Sequence, residues 1–182
     1  MNVTKRGFVE VDPRGRTAVP GVLAIGDLVG GAMLAHKASE EGIAAVEFLA
    51  GARTQPLDHG AIPSCIYAQP QVAWVGLTEA QARDRYGEDL RVGRFPFTAS
   101  GKALAAAHPA GFAKILAEPR YGQIVGAHVV GHGATELIAE LTLALTLEAT
   151  TSEIIATCHA HPTLSEAILE AALAAEGRSI NF

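Results

Sequence analysis

Strand-like segments crowd the middle of this chain and helix-like ones its end. The segments 62–67, 72–76, 90–97, 112–116 and 124–130 are short, apolar-rich and bounded by turn residues, as strands are. Helical spacing marks 79–86, then 135–147, 152–156 and 164–175. A run of strands followed by a run of helices fits an α+β domain, with a largely antiparallel β-sheet flanked by helices, rather than repeated βαβ units. Three helix starts also carry the capping-box pattern, Thr78 to Gln81, Thr150 to Glu153 and Thr163 to Glu166. In it a hydroxyl and a side chain three residues on satisfy unpaired backbone N–H groups reciprocally.

The first fifty residues follow another pattern. Alternation over 8–11 meets the turn 12–15, and the continuous apolar run 22–26 fits a buried strand. The glycine-rich stretch 26–31 leads into a helix expected over 34–49. This strand-loop-helix is set off by the composition shift at 51–56, which divides the chain into 1–53 and 54–182.

Composition narrows the function classes. The chain is 49% hydrophobic, enough for a sizeable core, with 14 basic and 19 acidic residues. With no basic cluster, neither nucleic acid nor an anionic membrane surface is an expected partner. No apolar run is long enough for a membrane span or a signal peptide. Cys65 and Cys158 are far apart, so neither a zinc site nor a disulfide framework is expected, and the setting is read as cytoplasmic.

Two constellations carry candidate chemistry. The first is Cys158-His159-Ala160-His161-Pro162-Thr163-Leu164-Ser165-Glu166. It puts an imidazole before a helix start, with a carboxylate five residues on. Such a pair can form a dyad in which the carboxylate fixes the ring tautomer and steadies the imidazolium. Equally, Glu166 can serve only as the capping-box glutamate and His161 as a loop histidine. A metal bound by His159 and His161 lacks third and fourth ligands. The His161–Pro162 bond, in a tight turn, is expected to be cis.

The second is the stretch from Ala24 to Lys37. A strand ending in Gly26-Asp27 puts a carboxylate at a sheet edge where ligands collect, and the N–H groups near Leu34 to His36 favour negative charge. Glycines used only for turns give the same pattern. No Gly-x-Gly-x-x-Gly fingerprint, P-loop, nucleophile elbow or Cys-x-x-Cys occurs.

In colinear order, Val19-Pro20-Gly21-Val22-Leu23-Ala24-Ile25-Gly26-Asp27, then Met33-Leu34-Ala35-His36-Lys37-Ala38 and Pro70-Gln71-Val72-Ala73-Trp74-Val75-Gly76 resemble segments of the pyridine nucleotide–disulfide oxidoreductases. So do Gly131-His132-Gly133-Ala134-Thr135-Glu136 and the stretch from His159 to Ala167. The His-Ala-His-Pro-Thr-Leu-Ser-Glu form is similar to the dihydrolipoamide dehydrogenase branch. Ile180-Asn181-Phe182 looks like a natural terminus.

The resemblance implies the end of an FAD domain followed by an interface domain that forms a homodimer. It implies that Asp27 binds FAD ribityl hydroxyls and that Met33, Leu34, Ala35 and His36 line the flavin. It implies that His161 is the acid–base for dihydrolipoamide, oriented by Glu166 and acting on the partner subunit's redox centre. FAD and NAD are the implied cofactors of the whole enzyme, and the lipoyl group of 2-oxo acid dehydrogenase complexes its implied partner. The flavin fingerprint, redox cysteine pair and NAD domain are absent here. This chain alone is therefore expected to be inactive and to bind no FAD tightly. A non-catalytic dimerisation module, or the same part of another flavoprotein disulfide reductase, is the alternative.

Overall fold

A computed structural model describes residues 1–52 and 55–182. They fall into two compact units, Met1–His59 and Gly60–Phe182. The boundary expected between residues 53 and 54 lies outside the described residues.

The second unit is built on five antiparallel strands, β1 (Ser64–Ile66), β2 (Val72–Gly76), β3 (Arg91–Pro96), β4 (Gly111–Ala117) and β5 (Ile124–Gly131), in the order β1-β2-β5-β4-β3. Helices α2 (Glu79–Tyr86), α3 (Gly101–Ala105), α4 (Ala134–Thr146), α5 (Thr151–Ala156) and α6 (Glu166–Ala175) complete it. The α+β reading and the antiparallel sheet therefore hold. The short helix α3, capped by the Ser100 hydroxyl, had no sequence signal strong enough to stand out.

Register explains the core. Ala73, Val129 and Ala113 lie side by side across β2, β5 and β4, as do Val75, Ala127 and Ile115. Because strand side chains alternate between faces, these six residues share one side, and all are buried. Ala134, Ile138, Leu141 and Ala144 of α4 and Ala167, Ile168, Ala171 and Ala172 of α6 close over that side. Their spacing is that of one helix face. On the opposite side, Leu116, Ala82 and Leu90 form a smaller cluster with Tyr86 of α2.

The capping boxes at Thr78 and Thr150 form completely. The third forms only by half. Glu166 Oε2 accepts from Thr163 N at 2.9 Å, but the Thr163 hydroxyl donates to the Ala160 carbonyl, and α6 begins at Glu166 rather than at 164. The same hydroxyl oxygen also pairs with Ser165 Oγ at 2.7 Å, and Ser165, at the N-cap of α6, makes no side-chain cap bond. The His161–Pro162 bond is cis, as is Gln69–Pro70.

The first unit corrects one strand expectation, that for 22–26. Residues 8–11 make only an isolated bridge, Val9 to Val3, and the apolar run 22–26 only one between Leu23 and Arg16. Val22 and Ile25 are exposed, and Gly26 opens a 3₁₀ turn, Gly26–Val29. A buried strand needs neighbours on both sides to satisfy its backbone, and among the described residues no ladder flanks this one. Helix α1 (Ala35–Leu49) lies one residue inside its expected range.

Gly93 sets the distance between α6 and the sheet. A Cβ there would collide with the Ala171 carbonyl and the Ala175 backbone. Gly93→Ala is therefore expected to destabilise the chain by about 1–3 kcal/mol or more, the range for overpacking. Chemical denaturation of the two proteins measures it, and equal midpoints would refute the close-approach account.

Candidate functional site

In the first unit the loop before α1 is organised by a buried ion pair. Lys37 is 2% exposed. Its Nζ donates to the carbonyls of Gly26 (3.1 Å) and Gly30 (2.9 Å) and pairs with Glu41 at 3.1 Å. Glu41 Oε2 accepts from Gly26 N at 2.7 Å, and its Oε1 meets His59 Nε2 at 2.8 Å. Burial works to raise the Glu41 carboxyl, but His59, the Gly26 N–H and Lys37 together hold it below the usual carboxylate range. Lysine and glutamate four residues apart on one helix are the local sequence signal for this pair.

Around that frame sit the expected cofactor residues. Asp27 is exposed in the 3₁₀ turn, and Met33, Ala35 and His36 are exposed with Leu34 half-buried at the cap of α1. Leu34 offers no side-chain cap and the first turn of α1 has no acid, so that helix end keeps its preference for an external negative charge. A cleft of about 200 Å³ in the same unit is lined by Ile25, Gly30, Lys37, Glu41, Phe48 and others, but by none of those five residues.

In the second unit His161 Nδ1 lies 2.8 Å from Glu166 Oε1. The sequence left two roles open for Glu166, and the geometry gives it both contacts, one oxygen on Thr163 N and the other on the ring. Burial favours the protonated carboxyl, but the Thr163 N–H and His161 outweigh it and hold Glu166 below its ordinary range. A carboxylate only accepts, so Nδ1 carries the hydrogen and Nε2 is left for proton exchange. The His161 side chain is 80% exposed.

His159 is turned elsewhere. Its side chain is 3% exposed, with Nε2 on Glu140 at 2.8 Å and Nδ1 on the Thr157 carbonyl at 2.9 Å. Both partners are acceptors, so whichever ring nitrogen carries hydrogen has one to donate to. It ties the loop before α6 to α4 and faces a different carboxylate from His161. Among the described residues no group of three or more His, Cys, Asp or Glu could hold a metal. Glu140 is nineteen residues from His159, beyond any local signal.

Other titratable groups fit acid–base work less well. His128 is pushed down to about 4 by burial and then by the Lys114 charge, against the pull of Glu79. Cys65, half-buried on β1, has its thiol raised by burial, and Cys158 is exposed; both are free. Among the described residues no helix is long and apolar enough to cross a membrane.

Comparison with known proteins gives the same picture twice. The family profile described as pyridine nucleotide-disulphide oxidoreductase, dimerisation domain, matches residues 62–172, and one described as pyridine nucleotide-disulphide oxidoreductase matches residues 1–42. The chain is 46% identical to a dihydrolipoyl dehydrogenase of Cupriavidus necator over 98% of its own length and 37% of the relative's. For that of Bacillus subtilis the figures are 48%, 99% and 38%, and for the human mitochondrial one 47%, 96% and 36%. The chain thus spans little more than a third of these relatives. The crystal structure of LpdA from Mycobacterium tuberculosis superposes with a TM-score of 0.88 at 27% identity, over 94% of this chain and 37% of that one.

Lys37→Met is expected to leave Glu41 buried without its cation, a loss of about 3–5 kcal/mol for such a pair. Hydrogen exchange at Gly30 N–H, which is bonded to the Asp27 carbonyl, should quicken; unchanged exchange would show that the pair does not organise the loop. Because Glu41 is held below its ordinary range, its contribution is complete above that range and is lost as pH falls through the lowered value.

Proposed function

The chain belongs to the pyridine nucleotide–disulphide oxidoreductases, and on that premise we propose that it is the C-terminal part of a dihydrolipoyl dehydrogenase, contributing an acid–base pair and a dimer interface. In this reading residues 1–53 close the FAD domain and 54–182 are the dimerisation domain. The protein works in the cytoplasm, with FAD and NAD as cofactors and the lipoyl group of 2-oxo acid dehydrogenase complexes as partner. The part described here is not active alone.

One observation carries the acid–base role: an exposed imidazole whose Nδ1 is fixed by a carboxylate that is itself fixed by a backbone N–H. A dithiol must lose a proton before its sulfur can attack a disulfide. Nε2 of neutral His161 takes that proton, and the Glu166 carboxylate steadies the imidazolium that results. FAD, when bound, supplies the electron acceptor between thiol and nicotinamide. For it this chain offers the exposed Asp27 carboxylate, suited to ribityl hydroxyls. It also offers the uncapped start of α1, with Met33, Leu34, Ala35 and His36, suited to a ring oxygen that gains negative charge.

In the full-length enzyme, His161→Gln is expected to lower turnover with dihydrolipoamide by about 10²–10⁴-fold, the usual worth of a general acid–base. The melting temperature should change little. Glu166→Gln keeps an acceptor for Thr163 N but removes the charge, so turnover should fall and the pH–rate profile should shift to lower pH. Rates near parental with lowered melting temperatures would leave Glu166 as a cap and the domain as a dimerisation module.

The homodimer is read from apolar surface. Ile66, Tyr67, Leu143 and Leu147 of the second unit are each at least half exposed, apolar surface suited to cover by a second copy within the matched dimerisation domain. Sedimentation at about tens of micromolar, suited to a standard interface, should give a dimer. A monomer there would count against the interface.

A further inference from the structure

Helix α6 carries two carboxylates one turn apart, and only the first belongs to the pair just described. The second, Glu170, is 3% exposed. Its Oε2 accepts from Ile180 N at 3.1 Å and Asn181 N at 3.3 Å, and its Oε1 accepts from the Asn181 side-chain amide at 2.6 Å. One residue on, the Phe182 ring meets Phe95 of β3 edge to face, with centroids 6.2 Å apart. His161, Glu166, Glu170, Asn181 and Ser100 line a single cavity of about 210 Å³.

We propose that Glu170 and the segment Ile180–Phe182 form a strap that positions the His161–Glu166 pair. Glu170 and Asn181 are then positioning residues for proton transfer. This rests on the reading of His161 and Glu166 as the acid–base pair. A ring that is 80% exposed gets little orientation from packing; its direction follows from the bond to Glu166, and hence from the rotamer of Glu166. Glu166 lines the same cavity as Glu170 and Asn181. Like charges four residues apart on a helix repel, and a buried carboxylate is tolerated only with donors. Three N–H groups from the strap supply them. Without the strap, Glu170 would draw water or a donor into the cavity, in competition with Glu166 for the N–H of Thr163 and of His161.

The test uses the 182-residue chain with two readouts: the rate at which carboxypeptidase releases Phe182, and the His161 ring resonances by NMR at fixed pH. Glu170→Gln and Asn181→Ala should each speed release at least about tenfold, the order expected for losing a hydrogen bond to a charged acceptor. Each should also move the His161 resonances towards their positions in Glu166→Gln. If Glu170→Gln fails to fold, Asn181→Ala, which alters only the strap, reads the same two quantities. Parental release rates would overturn the strap, and faster release with unmoved His161 resonances would overturn its hold on the pair. Neither readout needs turnover, so loss of the strap leaves the acid–base role standing, and a turnover-neutral His161→Gln would sink that role without touching the strap result.

Discussion

Everything in the second unit depends on how closely α4 and α6 approach one face of the antiparallel sheet. The residues that meet there are mostly small: Ala73, Ala113 and Ala127 on the strands, Ala134 and Ala144 on α4, and Ala167, Ala171 and Ala172 on α6, each 8% exposed or less. At Gly93 even a methyl group is too much. Small side chains gain less by burial than large ones, but they let helix and strand backbones close to a separation at which dispersion contacts are dense. The consequence is positional. A helix seated this firmly delivers its N-terminal turn to a fixed place, and Glu166 is the first residue of that turn.

Polar groups then pin what packing does not reach. His159 ties the loop before α6 to Glu140 of α4, Glu166 ties His161 and Thr163, and Glu170 ties the C-terminal residues. In the first unit Lys37 and Glu41 do the same for the Gly26–Gly30 loop. Each of these groups is costly to bury alone and acceptable once satisfied. Each therefore fixes a geometry and does not merely fill space. His161 stands apart, with one nitrogen held and most of the ring in the open.

Much of the second unit was legible in the sequence, since its signals are local. The expected ranges 72–76 and 79–86 are β2 and α2 to the residue, and the Thr78 and Thr150 boxes form as the pattern implies. The failures share one cause. The run 22–26 has the composition of a buried strand, but composition cannot supply the neighbouring strands. The box at Thr163 has the right residues, but the pattern cannot show that the hydroxyl finds a partner in the loop, the Ala160 carbonyl.

By itself, then, the sequence determined the class of the fold, most of its elements and the identity of His161, Glu166 and the residues around Asp27 as candidates. Periodicity, caps and motif order are written within a few residues of one another. Tertiary structure decided which carboxylate faces which imidazole, that Glu166 serves both ring and backbone, and that Glu170 reaches residues ten and eleven positions away. It also decided that Lys37 turns inward, onto two carbonyls of its own loop. Those outcomes depend on where a packed backbone leaves a side chain and on which partners burial makes obligatory. Neither condition exists until the helices have closed on the sheet and the loops have folded over their buried charges.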